Sequence, residues 1–408
     1  MSSKQTMIIN ADDFSTLQDA ANAVPEHGTL LIPKGTRNCL PFHLHSHMTL
    51  QFEQGARLIA SRDIRDYSPL QELKRESSIG HGFLWGSNLE DVTIDGGIID
   101  ASGDAFWKDF DGAPSPEPST YRTKIYKPAP KRPTAIIFYN CRNLILKNLT
   151  ILNSPSYTVW LIGCQNVHIE NVTIQNHRLS PNTDGLDIDC CTDVWIHGCN
   201  LQCGDDCIAV KSDISLIGED RPCERIVISD CILTCPCCGI RVGYEGDGVI
   251  RDMVVSNMVI HHCNKGLDFI SLIPDNALPI RKGARIENIL FTNIAMRDVR
   301  QGISIWSYTD HPKDQPNYAG WIRQIKFSHM TIEATDASFI GGLNVSEITL
   351  EDIKMNVKRD MSRYKGEEPV EITNVWGVGY LPNPLTLYHA DDTRLTNVSV
   401  QEEIISEA

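Results

Sequence analysis

One short template, repeated along most of the chain, constrains the fold more than any other feature. Residues 143–151 read Asn-Leu-Ile-Leu-Lys-Asn-Leu-Thr-Ile, and residues 166–174 read Asn-Val-His-Ile-Glu-Asn-Val-Thr-Ile. An Asn- or Asp-like turn residue is followed by alternating apolar positions, the period of a strand rather than a helix. The same phase returns at Leu144, Val167, Val194, Ile226, Met253, Ile289, Ile325 and Ile348. Successive starts are 23, 27, 32, 27, 36, 36 and 23 residues apart. Self-similarity at 20–50 residues signals a solenoid, with variable loops on one face. The expected fold is therefore all-β, a right-handed parallel β-helix of about ten coils.

Equivalent positions on successive coils should stack as inward ladders. Cys141, Cys164, Cys191 and Cys223 sit three residues before their strand starts. Leu149, Val172, Cys199, Cys231, Met258, Ile294, Met330 and Ile353 sit five residues after theirs. Most of the 14 cysteines thus read as small buried hydrophobes. The run Cys235-Pro236-Cys237-Cys238 lacks a second pair at zinc spacing, so no metal is expected. Phe14, Leu17, Ala20, Ala21 and Val24 have helical spacing, with Asp12 or Asp13 as the cap candidate. With the strand Thr29–Ile32 they make residues 1–35 a cap over the open solenoid end. Residues 104–132, rich in Pro, Asp and Lys, break the template and read as a long loop. A single domain over 1–408 is expected, since a solenoid escapes the usual size limit.

Composition narrows the partners. A net charge of −15 argues against nucleic acid and against an anionic membrane surface. No run approaches the roughly 20 apolar residues of a membrane helix. The first residues, MSSKQTMIINADDF, lack the basic and apolar regions of a signal peptide. A cytoplasmic location with reduced cysteines follows, or a secreted one if a leader precedes this sequence. Oligomeric state is open.

Chemistry is expected where the repeat carries carboxylates that stacking does not need. Pro181-Asn182-Thr183-Asp184-Gly185 leads into one strand, and Gly204-Asp205-Asp206-Cys207 into the next. Asp184 and Asp206 are 22 residues apart, about one coil, which places them side by side at roughly 4.8 Å. At about 5 Å and an effective dielectric of about 20, each such pair costs about 3 kcal/mol. Repulsion of that size raises one pKa and leaves a protonated acid beside ionised bases, the equipment of a hydrolase. The bland alternative is a pair of Asx turns capping strands.

Residues from about Gly28 to Met258 resemble glycoside hydrolase family 28, the polygalacturonases and their relatives. The likeness is sharpest in Asn182-Thr183-Asp184-Gly185 and in Gly204-Asp205-Asp206-Cys207-Ile208-Ala209-Val210-Lys211-Ser212, with Asn153-Ser154-Pro155 as a further family phrase. The resemblance implies a right-handed parallel β-helix that cleaves glycosidic bonds with inversion and without a cofactor. It gives Asp205 the role of general acid, with Asp184 and Asp206 activating the water. Two departures stand out. Cys237-Cys238-Gly239 replaces the family's Gly-His-Gly, and Asp268-Phe269-Ile270 stands where an Arg-Ile-Lys grips the uronate. They weigh against galacturonate more than against hydrolysis.

Alternation points Arg241 and Lys211 outward, as candidates for binding an acidic group. It also points Trp306 outward, to stack on a sugar or to pack under a loop. His177 precedes the Asp184 turn and is a cleft candidate, and Asp268 is a substrate-side candidate through its place in the lost basic triplet. The leading reading is a pectin-type glycosidase, galacturonosidic by default and exo-acting on a carbohydrate pocket closed by loops such as 104–132. Rivals are the same chemistry on a rhamnose- or xylose-containing fragment, and a non-catalytic or viral polysaccharide-binding β-helix. A calcium-dependent lyase is weaker, because the hydrolase phrases are present. The tail 391–408 shows no heptads that would mark a trimeric spike.

Overall fold

The computed structural model describes residues 7–108, 126–274, 278–309, 312–360 and 381–405. Among these residues the strands form two long sheets, of 20 and 11 strands, paired in parallel between coils. This is the right-handed parallel β-helix that the repeat predicts. The expected ladders line its interior. Cys141, Cys164, Cys191 and Cys223 are buried, as are Ile226, Val255 and Ile289.

The backbone explains the turn residue of the template. Asn143, Asn166, Asp193, Arg225, Asp252, Asn288, Gln324 and Glu347, each one residue before a strand start, all have φ of 54–58°. Asn and Asp tolerate this left-handed region best, hence their frequency there. Their side chains also bridge coils: Asn143 Nδ2 donates to Asp91 at 2.6 Å, and Asn166 Nδ2 donates to Asn143 Oδ1 at 2.8 Å.

The N-terminal cap is a helix, Leu17–Ala23, with Leu17, Ala20 and Ala21 buried. Its cap differs from expectation. Thr16 accepts from the Asp19 N–H, while Asp12 and Asp13 lie in a separate 3-10 turn capped by Asn10. A hydroxyl on an extended residue meets the free N–H groups of the first turn, and Phe14 and Ser15 intervene between the aspartates and that turn. Of the stretch 104–132, the ends pair as a short antiparallel ribbon, Trp107–Lys108 with Lys127–Pro128. Residues 109–125 lie outside the described residues.

The 11-stranded sheet positions the site. Its outward side chains run in register from coil to coil: Trp85, Ile137, Trp160, Asp187, Ala209, Arg241, Asp268, Ser304 and Phe339. The column thus changes from apolar to charged at Asp187. Over its apolar part lies the segment 67–81, whose Leu70 packs with Ile137, Trp160, Leu216 and Ile217.

Candidate active site

Two stacked turns hold the carboxylates. Gly185 N–H donates to Asp206 O at 2.9 Å, and Cys207 N–H donates to Cys238 O at 2.9 Å. Gly204 N–H donates to Thr183 Oγ1 at 3.1 Å, tying one turn to the next. Two glycines permit this approach: a Cβ on Gly185 would come within 2.4 Å of Cys207 O, and one on Gly204 within 2.5 Å of Ser180 O. Oxygens of Asp184, Asp205 and Asp206 then lie within 4.8 Å of one another.

All three aspartates are buried. Burial, reinforced by Asp187 and Asp205, pushes the Asp184 carboxyl well above the usual carboxylate range. Its Oδ1 is buried and makes no hydrogen bond among the described residues. Asp206 is held by its neighbours. Its Oδ1 accepts from Cys238 N–H at 3.0 Å, and its Oδ2 lies 3.1 Å from Arg241 Nε.

Arg241 does point outward, but it does not present its charge to solvent. Only 6% exposed, it also lies 3.5 Å from Asp268 Oδ2, and its Nη2 contacts Cys238 Sγ at 2.9 Å. Asp268, fully buried, is in turn 2.8 Å from Lys265 Nζ. Lys211 is likewise outward and 2% exposed. Its Nζ lies 2.7 Å from Asp187, 3.5 Å from Glu245 and 3.7 Å from Asp184, and donates to Tyr157 Oη at 2.8 Å. Both expected carboxylate binders are therefore already paired with carboxylates of the chain itself. The alternation argument gave direction correctly and could not see these partners, which come from other coils.

Trp306 faces outward and is covered. Its ring centroid lies 4.2 Å from that of Phe339, the packing arrangement the sequence offered as the alternative to sugar stacking. His177 is exposed on the turn before Asp184, with its ring 5.1 Å from Tyr126 and its Nδ1 accepting from the Leu179 N–H at 3.2 Å. The structure brings Asp184, Asp205, Asp206, Lys211, Arg241 and Asp268 into one charged network. His177 flanks that network on its turn, and Trp306 packs against Phe339.

Sequence reasoning missed five members. Asp187 and Asp189 alternate with Leu186 and Ile188, so the same rule that exposed Arg241 would have found them. Burial raises the carboxyls of both to about 7, with Lys211 opposing the rise at Asp187 and Asp213 adding to it at Asp189. Glu245 arrives through a bulge. Val210 pairs with Val242 but Ser212 pairs with Gly246, so residues 243–245 oppose Lys211 alone. Gly243 and Gly246, at φ 93° and 105°, make that bend, which swings Glu245 onto Lys211. Tyr157 and Lys265 carry no local signal. Arg132 braces the Asp184 turn, donating to Pro181 O at 2.5 Å and Asn182 Oδ1 at 2.9 Å.

A parallel β-helix with clustered carboxylates on its outer face defines a class, the β-helical glycosidases. The chain belongs to one family within it: the model described as glycosyl hydrolases family 28 matches residues 29–373. A probable polygalacturonase of Vitis vinifera is 28% identical over 357 residues, covering 83% of this chain and 65% of that relative's length. In structure the chain is similar to a hyperthermoactive exopolygalacturonase of Thermotoga maritima, with TM-score 0.72, 20% identity, and 97% and 93% of the two chains covered. It is also similar to a family 28 exopolygalacturonase of Yersinia enterocolitica, with TM-score 0.68, 16% identity, and 98% and 78% covered. Among the described residues no helix is long and apolar enough to cross a membrane.

Proposed function

We propose that the protein is an exo-acting glycosidase that hydrolyses a pectin-type oligo- or polysaccharide with inversion. The observation that carries this reading is the convergence of Asp184, Asp205 and Asp206 within 4.8 Å on the outer face of a family 28 β-helix. Asp205 is the general acid that protonates the leaving oxygen, and Asp184 and Asp206 orient and deprotonate the attacking water. Burial and the neighbouring carboxyl groups raise the Asp184 carboxyl well above the usual range.

The test is a screen of the purified protein against defined pectic oligosaccharides, with the first-formed anomer read by proton NMR. Inverted product supports the proposal, retained product overturns the inverting assignment, and no cleavage of any pectic substrate overturns the hydrolytic reading.

The exo mode is supported by the covered end of the site sheet. Lys74 N–H donates to Leu216 O at 2.9 Å, Arg75 Nε donates to Ser215 Oγ at 2.9 Å, and Arg75 also pairs with Asp213. This strap closes the outer face just beyond Asp187. A chain lying along the sheet meets a wall there and enters from the other side. The 14 cysteines are free.

A further inference from the structure

We infer that the sugar seated beside Arg241 is neutral, so that the preferred substrate is a pectin-type chain with a non-uronate sugar at that position. This rests on the glycosidase reading above and names its substrate class.

The argument is one of charge already satisfied. Arg241, Lys211 and Lys265 are buried cations of the outer face beside the carboxylate cluster. Arg241 bridges Asp206 at 3.1 Å and Asp268 at 3.5 Å. Lys265 pairs with Asp268 at 2.8 Å. Lys211 pairs with Asp187, Glu245 and Asp184. These three cations are therefore committed to five carboxyl groups of the chain itself through direct contacts. A uronate carboxylate arriving here finds each of them already paired, in a partly desolvated site where such pairs are stronger than in water.

To grip a uronate, Arg241 would have to leave Asp206 or Asp268. Removing one partner of a buried ion pair strands the other, which is the expensive direction. Asp268 enforces the arrangement. It is the register partner of Arg241 on the next coil, so the two side chains stack as neighbours of opposite sign. Lys265 and the fully buried Cys238 also contact it, the latter donating through Sγ at 3.5 Å.

The surroundings of Arg241 suit a neutral ring. The bulge at Gly243–Gly246 lays Tyr244 over Ile270 and Leu272, 5.6 Å from the Arg241 guanidinium. An aromatic ring on an apolar base receives the C–H face of a sugar, while the neighbouring carboxyl groups hydrogen-bond its hydroxyls.

The test compares three probes: a homogalacturonan oligomer, its carboxyl-reduced counterpart with galactose in place of galacturonate, and a panel of rhamnose- and xylose-bearing pectic oligosaccharides. Cleavage by the wild type is followed as kcat/KM, and binding to Asp205→Asn by calorimetry. At least one neutral-sugar probe should exceed the homogalacturonan oligomer by tenfold or more in both readouts. Equal or better use of homogalacturonan overturns the inference and leaves the glycosidase reading standing. Neither cleavage nor binding of any probe overturns the glycosidase reading and the inference with it. Asp268→Asn adds an independent arm, since it releases Arg241 and Lys265. It should shift the preference toward the uronate probe by about tenfold, with folding checked by melting. If it does not fold, the wild-type comparison decides alone.

Discussion

Lys211 Nζ lies 2.7 Å from Asp187 Oδ1, reaching diagonally across the sheet from its own register partner, Asp189. Burial alone would lower the lysine's pKa, and Asp187, Glu245 and Asp184 reverse this and raise it well above normal. Its positive charge is what allows three carboxyl groups to share the buried site.

Replacing that cation should therefore expose their repulsion. Lys211→Met is expected to lower stability by about 3–5 kcal/mol at neutral pH, the usual loss when a buried pair is broken from one side. Because the Asp187 carboxyl is raised to about 7, acid should neutralise the stranded group. Urea unfolding at pH 5 and pH 8 should show a smaller deficit at pH 5. An equal deficit at both values would mean that packing, not charge, is what the lysine supplies.

Asp205→Asn keeps the shape and removes the transferable proton. Turnover should fall by about 100-fold or more with the melting temperature preserved. Asp184→Asn and Asp206→Asn should be similarly damaging on a natural linkage. An aryl glycoside with a good leaving group needs little protonation, so it should rescue Asp205→Asn and not the other two. Rescue of Asp184→Asn instead would assign the acid to the residue whose carboxyl burial raises most clearly.

Protein stability should also depend on pH through Asp189, whose carboxyl burial and Asp213 together raise to about 7. The folded state then binds a proton more tightly than the unfolded chain does. Its contribution is fully present below about pH 4, the unfolded carboxylate value, and is lost as pH rises through about 7. The melting temperature should fall from pH 5 to pH 8, and Asp189→Asn should flatten part of that slope. A wild-type profile that rises over this range would show that other groups dominate.

Reduction should leave the fold unchanged. Thirteen of the 14 free cysteines are buried and Cys39 is half-buried, most of them acting as interior packing. Adding a thiol reductant should move the melting temperature by less than about 1 °C, and elemental analysis should find no stoichiometric zinc. A large drop on reduction would reveal disulfides.

The fold was legible because its physics is local. A left-handed turn residue and a period of two recur at each coil, so Asn143 and Asn166 announce the same geometry that Gln324 and Glu347 adopt with less typical side chains. The carboxylate cluster was legible because stacking converts a spacing of one coil into adjacency. What alternation could not supply was partnership. It placed Arg241 and Lys211 outward, yet their charges are consumed by Asp268 and by Glu245. Glu245 depends on a bulge set by two glycines, and Asp268 was visible only as a departure from a pattern. Trp306 shows the same limit, since outward orientation did not reveal that Phe339 lies across its ring.

The strap over the N-terminal part of the site sheet makes a prediction about product. Leu70, with Leu73 and Ile79 partly buried beside it, seals the apolar column of Ile137 and Trp160, and Arg75 fastens the strap to Asp213 and Ser215. Under the proposed exo mode this strap ends the cleft and leaves the carboxylates room for few sugars on that side. A long oligosaccharide should release one small product of constant size from the first minutes, while the viscosity of a polymer falls slowly. Arg75→Ala removes the fastening but keeps the apolar seal, so it should loosen the pattern only modestly. Replacing residues 71–78 with a short Gly-Ser linker removes Leu73 and the fastening together. It should admit longer chains and broaden the early products, provided melting shows that the helix persists. Random early products from the wild type would show that the strap does not end the cleft, and the exo mode would fall while the hydrolytic assignment stood.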